Sequence, residues 1–302
     1  MKLINPNPIT DSEFVSSTVT EDDYAVYSGA TTYAIGDKVI RTETHRCYES
    51  LIASNTGNTP EDNLTGTTPA WLDIGPTNRW AMLDDVVGTV TSVTSPLTLV
   101  LNPGQIGGIG LLSCVGSQLD VTLKDGTGGT TVYSETISLD GTIITSWYDW
   151  FFEDYVQLSD LVLTDLPDSY TAPELTVSIT GTGTVECGLL KTGKVTDIGG
   201  TQWGAKVGIT DYSRKEQDVF GNYTVVQRSF NKNATLSVEI TPSELNRIYR
   251  VLANARSTPV FWIGTDLYGF EPLLIYGFYR DFNIDIAYHS LYACSLEIEG
   301  LT

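Results

Sequence analysis

From Asn78 to about Lys194 the chain alternates between short apolar or β-branched runs and turn residues. L-T-L-V-L, L-D-V-T-L-K, T-T-V-Y-S-E-T-I-S-L, Q-L-S-D-L-V-L-T-D-L and E-L-T-V-S-I-T are divided by N-P-G, K-D-G-T-G-G, L-D-G and L-P-D-S. Alternation with a period of two puts every second side chain on one face, so each run reads as a strand. Regular strands without a helical pattern predict a two-sheet sandwich over residues 78–195. Beyond residue 196 the pattern changes. Thr241-Pro242-Ser243-Glu244 is a capping box with proline at the first helical position, and Leu245, Ile248, Tyr249, Leu252 and Ala255 follow at helical spacing. The spacing predicts one helix over 242–256 with an apolar face on a sheet. N-A-T-L-S-V-E-I before it, and P-V-F-W-I-G-T-D, P-L-L-I-Y-G-F-Y-R-D-F-N-I-D-I and S-L-Y-A-C-S-L-E-I-E-G-L after it, supply the strands. A sheet of such long strands, paired at high sequence separation, leaves edges on which subunits can pair. The predicted fold class is mainly β.

The first 77 residues divide in two. Asn5-Pro6-Asn7-Pro8 favours extended backbone and S-S-T-V-T-E-D-D offers little to pack, so residues 1–23 read as an N-terminal arm, disordered or laid on a neighbouring surface. Residues 24–77 repeat aromatic residues followed by glycine turns. A unit this small has no room for a large core, so its aromatics either form that core or are displayed. The order Tyr33, Gly36, Asp37, Val39, Tyr48, Gly57, Pro60, Trp71 resembles the small chitin-binding type carbohydrate-binding modules. The resemblance implies a small three-stranded module held by these residues, and makes Tyr33, Tyr48 and Trp71 candidates for sugar contact. Where that family carries tryptophan after the position of Tyr48, this chain has Glu49-Ser50-Leu51-Ile52-Ala53, so the usual sugar platform is missing.

Charge narrows the partners. The formal net charge is −20, spread as −7 over residues 1–77, −10 over 78–195 and −3 over 196–302. A field of that sign repels phosphate backbones, so nucleic acid and anionic membrane are poor partners for the first two thirds, and no nucleic acid contact is expected. No apolar run reaches the length that spans a bilayer, and the first residues lack the apolar core of a signal peptide, so no membrane insertion is expected. Cys47, Cys114, Cys187 and Cys294 lie far apart without metal-ligand spacing, and read as buried, reduced thiols. The only histidines, His45 and His289, fall in different candidate domains. No metal, cofactor or catalytic site is expected.

Two surfaces stand out. Trp147-Tyr148-Asp149-Trp150-Phe151-Phe152-Glu153-Asp154-Tyr155 packs six aromatics and three carboxylates into nine residues. Trp147 and Trp150 are candidates for sugar stacking; alternatively, alternate residues plug the sandwich while the others face a neighbouring subunit. On the helix, Arg247, Arg250 and Arg256 oppose the apolar face, and are candidates for meeting an acidic subunit or for plain solvation. Catalysis by Asp84 with Asp85, or Glu153 with Asp154, is disfavoured because adjacent strand residues point to opposite faces.

N-R-W-A-M-L-D-D and the strands after it resemble galactose-binding-like jelly-roll domains. Together with D-G-T-I-I-T-S-W-Y-D-W-F-F, G-G-T-Q-W-G-A-K-V-G-I-T-D-Y-S-R-K-E, L-N-R-I-Y-R-V-L-A-N-A-R-S-T-P-V-F-W-I-G-T-D and Y-G-F-Y-R-D-F-N-I-D-I-A-Y, nearly the whole chain resembles tail-tip and baseplate proteins of long-tailed phages and prophages. The resemblance implies a virion subunit assembled in the bacterial cytoplasm. Its C-terminal domain, 196–302, would form a homo-oligomeric ring against tube, hub and fibre proteins, and its outer domains would meet a host-surface glycan. The alternative is a soluble carbohydrate-binding protein, or an accessory module of a glycan-degrading enzyme, using Trp71, Trp147 and Trp150.

Overall fold

A computed structural model describes residues 1–142, 144–217, 220–267, 269–286 and 289–301. With 45% of residues in strands and 8% in helices, the protein is mainly β, as its alternation predicts.

The sandwich forms as expected. Its outer sheet runs in the order Thr131–Ser138, Gln118–Lys124, Glu174–Thr180, Leu97–Leu101, Phe14–Ser17. Alternate residues Leu97, Leu99 and Leu101, Leu119, Val121 and Leu123, and Leu175, Val177 and Ile179 all face one core. Ile109 and Leu111 of Gly108–Leu112 and Leu190 of Leu189–Asp197 close it from the other side. Removing nine such side chains from water is the main drive for this layer, at about 1.5–3 kcal/mol each before chain entropy is counted.

The inner sheet is larger than the sequence divisions allow. Ten strands join, in the order Leu161–Leu163, Gly108–Leu112, Leu189–Asp197, Lys2–Pro6, Val260–Ile263, Leu274–Asp285, Tyr292–Gly300, Phe230–Ile240 and Gly200–Thr201, with Lys206–Asp211 also paired to Phe230–Ile240. Residues 195 and 196 sit inside one strand, so the predicted boundary there is no boundary: the middle and C-terminal regions share this sheet.

The N-terminal segment is likewise not an arm. Lys2–Pro6 is an interior strand, antiparallel to Leu189–Asp197 on one side and to Val260–Ile263 on the other. Leu3 enters the core beneath the C-terminal helix and Ile4 enters the opposite core with Phe261, Ile263, Leu274 and Tyr276. Pro6 is tolerated because it ends the strand. Close approach across this second core depends on Gly110, where a Cβ would lie 2.6 Å from the Phe261 ring.

Two α-helices lie among the described residues. The first, α1, is Trp147–Phe152; the second, α2, is Leu245–Asn254, shorter than the predicted 242–256. Residues 241–244 form a turn closed by Glu244 N–H donating to Thr241 C=O at 3.0 Å, and no side chain caps the helix. Ile248 and Leu252 pack on Leu236, Val238, Ile240, Trp262, Leu296 and Ile298. Tyr249, expected on that face, stays 56% exposed and touches Phe282 with its edge.

Residues 24–77 hold the three-stranded sheet Lys38–Arg41, Arg46–Ser50, Trp71–Pro76. Gly36 and Gly57 take φ of 87° and 74°, which glycine adopts without strain. The module is tied to the sandwich by His45. Its ring stacks on Trp80 at 4.0 Å, with Nδ1 2.9 Å from Glu21 and Nε2 2.8 Å from Asp11.

Candidate interaction surfaces

Tyr33, Tyr48 and Trp71 are 8%, 1% and 1% exposed, and with Val39 and Ala70 they constitute the core of the small module. Trp71 donates its Nε1–H to Asn58 C=O at 2.8 Å, Ser28 N–H donates to the Tyr33 hydroxyl at 2.8 Å, and the Tyr33 and Trp71 rings meet edge to face. No ring face among the three is turned outward for a sugar. Of the two roles open in the sequence, these aromatics take the core.

The aromatic cluster has the opposite fate. In α1, Trp147, Tyr148, Trp150, Phe151 and Phe152 are 82%, 71%, 64%, 72% and 70% exposed, and Tyr155 after it is 58% exposed. The expectation that alternate residues plug the sandwich therefore fails, because the whole segment projects from it. Local chemistry makes it helical: Ser146 Oγ accepts from Asp149 N–H at 3.2 Å, and Glu153 N–H donates to Asp149 C=O at 2.8 Å. Asp149 in turn accepts from Thr145 N–H at 2.9 Å and from its hydroxyl at 2.6 Å. Hydrogen bonds from Thr145, then Ser146, hold its carboxyl down at about 2. The base is pinned where Leu158 N–H donates to Leu139 C=O at 2.9 Å and Gly141 N–H to Val156 C=O at 2.8 Å. Trp147, Trp150 and Phe151 share one face by their i, i+3, i+4 spacing. The Tyr148 and Phe152 rings lie 4.7 Å apart on another.

A second projecting surface was not singled out by the sequence. Lys206–Asp211 pairs along its whole length with Phe230–Ile240, and the chain continues beyond it into a two-stranded ribbon, Arg214–Gln217 with Tyr223–Val226. Every residue of these three strands is exposed. Register sorts the ribbon into two faces. Lys215 opposes Val225 and Gln217 opposes Tyr223 on one; Arg214 opposes Val226 and Glu216 opposes Thr224 on the other. Arg214 and Glu216 neutralise each other at 2.5 Å, whereas the first face carries Lys215 and no acid. Tyr223 and Val225 on it are 70% and 58% exposed.

A groove of about 760 Å³ lies between the segment after α1 and the strand before the ribbon, lined by Glu153, Val156, Val207, Ile209 and Phe230. At its floor Lys232 bonds to Asp160, which also accepts from Ser113 N–H at 3.2 Å.

The helix α2 arginines are partly engaged at home. Arg247 donates to Asp197 C=O at 2.9 Å and pairs with Glu244 at 2.8 Å; Arg250 Nε bonds Asn246 C=O at 3.1 Å; Arg256 is exposed. Asp84 and Asp85 are engaged by separate partners. Asp84 accepts from Val86 N–H and Thr89 Oγ1, both at 2.9 Å, and burial raises its pKa. Asp85 receives Lys191 Nζ at 2.8 Å and Tyr276 Oη at 2.7 Å. Burial raises the Asp85 pKa, but these two donors outweigh it and leave the group below its ordinary value. Lys191, 7% exposed, also donates to Leu83 C=O at 2.9 Å, so the group clamps the 81–88 loop onto the inner sheet. All four cysteines are free and buried. Among the described residues no group of three His, Cys, Asp or Glu could hold a metal ion, and no helix is long and apolar enough to cross a membrane.

Compared with family models, curated proteins and solved structures, the chain matches none of them.

Proposed function

We propose that the chain is a structural subunit of a phage tail tip or baseplate, oligomerising as a ring at the distal end of the tail and turning its small module outward to the host surface. The ribbon and the strand leading to it carry the assembly part of this reading, because all their residues are exposed. A two-stranded ribbon alone is marginally stable in water, and Val207, Ile209, Tyr223, Val225 and Val226 gain by leaving it. A neighbouring subunit supplies that cover. The tail assignment rests on the sequence resemblance, which also names tube, hub and fibre proteins as partners and the virion tail as the place of work.

Exposed Trp147 and Trp150 favour a second reading, a carbohydrate-binding protein stacking pyranose rings on α1. Mass measurement and negative-stain imaging of the purified protein separate the two. A closed ring is expected; a stable monomer retained on chitin or lipopolysaccharide sugar replaces the first reading with the second.

A further inference from the structure

Two unpartnered surfaces of opposite character lie on one chain. Residues 125–190 contain no Lys or Arg, and the α1 segment within them adds Asp149, Glu153 and Asp154 to its aromatics. The ribbon face of Tyr223, Val225, Gln217 and Lys215 is apolar and cationic, with no acid in its register. Both are held in place by backbone hydrogen bonds, and both stay exposed within the subunit, so neither covers the other.

Resting on the ring reading above, we propose that α1 of one copy docks on the Lys215–Val225 face of the next copy's ribbon. Trp147, Trp150 and Phe151 lie across Tyr223 and Val225, while Lys215 meets Glu153, Asp154 and the aromatic faces. A convex helix suits a flat ribbon. Three aromatics at up to about 150–250 Å² each remove roughly 450–750 Å² on the helix side, toward the roughly 800 Å² per partner of a standard interface. Because the two patches differ, the contact is head-to-tail, and repetition closes a ring or runs on as a filament.

Charge exchange tests the contact. Two variants, E153K/D154K and K215E/Q217E, change only exposed residues and should each shift the concentration for half-assembly upward at least tenfold in analytical ultracentrifugation. Mixed in equal amounts, they should assemble again, since each then meets its opposite charge. As a control, R250E/R256E should assemble as wild type. Introducing D154C and Q217C together, which leaves the aromatic anchors, Tyr223, Val225 and the Glu153–Lys215 pair in place, should give an intermolecular disulfide ladder on mild oxidation, the native thiols being buried. If wild type forms a ring and either charge variant assembles equally well, or the mixture fails to recover, or no ladder forms, the α1–ribbon contact is wrong while the ring stands. A wild type that is monomeric at every concentration overturns both.

Discussion

Trp71→Ala tests the role of the buried aromatics in the small module. Trp71 is 1% exposed, and its removal empties the centre of a core with only four other buried members, Tyr33, Val39, Tyr48 and Ala70. Truncating a buried tryptophan costs about 3–5 kcal/mol, and losing the Nε1–H bond to Asn58 C=O falls within that range. At about 0.05–0.15 kcal/mol per residue, a module of this length holds roughly 3–8 kcal/mol. The substitution therefore removes from about a third to all of its stability, leaving the sandwich and inner sheet folded. Cys47 reports this directly. It is 5% exposed within the module, and burial, then the nearby carboxylates of Asp23, Glu21 and Asp73, push its thiol up to about 11. Its alkylation thus requires opening, and a 3 kcal/mol loss should speed it about 100-fold, at 1.4 kcal/mol per tenfold. Mass spectrometry of the peptides should show Cys47 modified while Cys114, Cys187 and Cys294 stay protected. Equal protection of Cys47 in wild type and variant would refute the reasoning. So would a folded Trp71→Ala protein that loses a polysaccharide the wild type retains, since Trp71 would then be a sugar platform.

Gly110→Ala places a Cβ 2.6 Å from the Phe261 ring, and should cost about 1–3 kcal/mol in chemical denaturation; an unchanged midpoint would mean that the shared core gives way freely. Asp85→Asn should cost on the order of 1 kcal/mol at neutral pH: the carboxylate is desolvated where it meets Lys191 and Tyr276, but the Asp85 side chain as a whole is 71% exposed, so its pair with Lys191 is partly screened. The Asp85 pKa is lowered on folding, so its contribution is present above the ordinary value of 3.8 and is lost as pH falls through the lower folded value. The wild-type minus Asp85→Asn stability difference should accordingly shrink in that acid window; a difference flat down to pH 2 would remove the ion pair from the account.

Local pattern determined most of the strands. The alternation Leu97-Thr98-Leu99-Val100-Leu101 needs no tertiary information to be read, because burying one face of a pleated chain demands it. The α2 stripe was legible for the same reason at a period of 3.6, although Tyr249 lies at the margin of the buried face and stays exposed. Ser146 and Asp149, spaced as a cap and its reciprocal acid, are the local signal for α1, but the strand alternation on either side masked it and no helix was expected there. Other features depended on contacts remote in sequence. Lys2–Pro6 is too short for a period, and its neighbours arrive some 190 and 260 residues later, so only the assembled sheet shows it as an interior strand. The same pairing joined two predicted domains through Leu189–Asp197. Aromatic runs are equally ambiguous: Trp71 and Trp147 are the same residue type beside acids and glycines, yet one is 1% and the other 82% exposed. Likewise Y-T-V-V of the ribbon reads like any core strand, and its exposure exists only because no layer of the subunit lies over it. Local sequence sets which residues are extended and which face is apolar, whereas burial is decided by what long-range packing brings against that face.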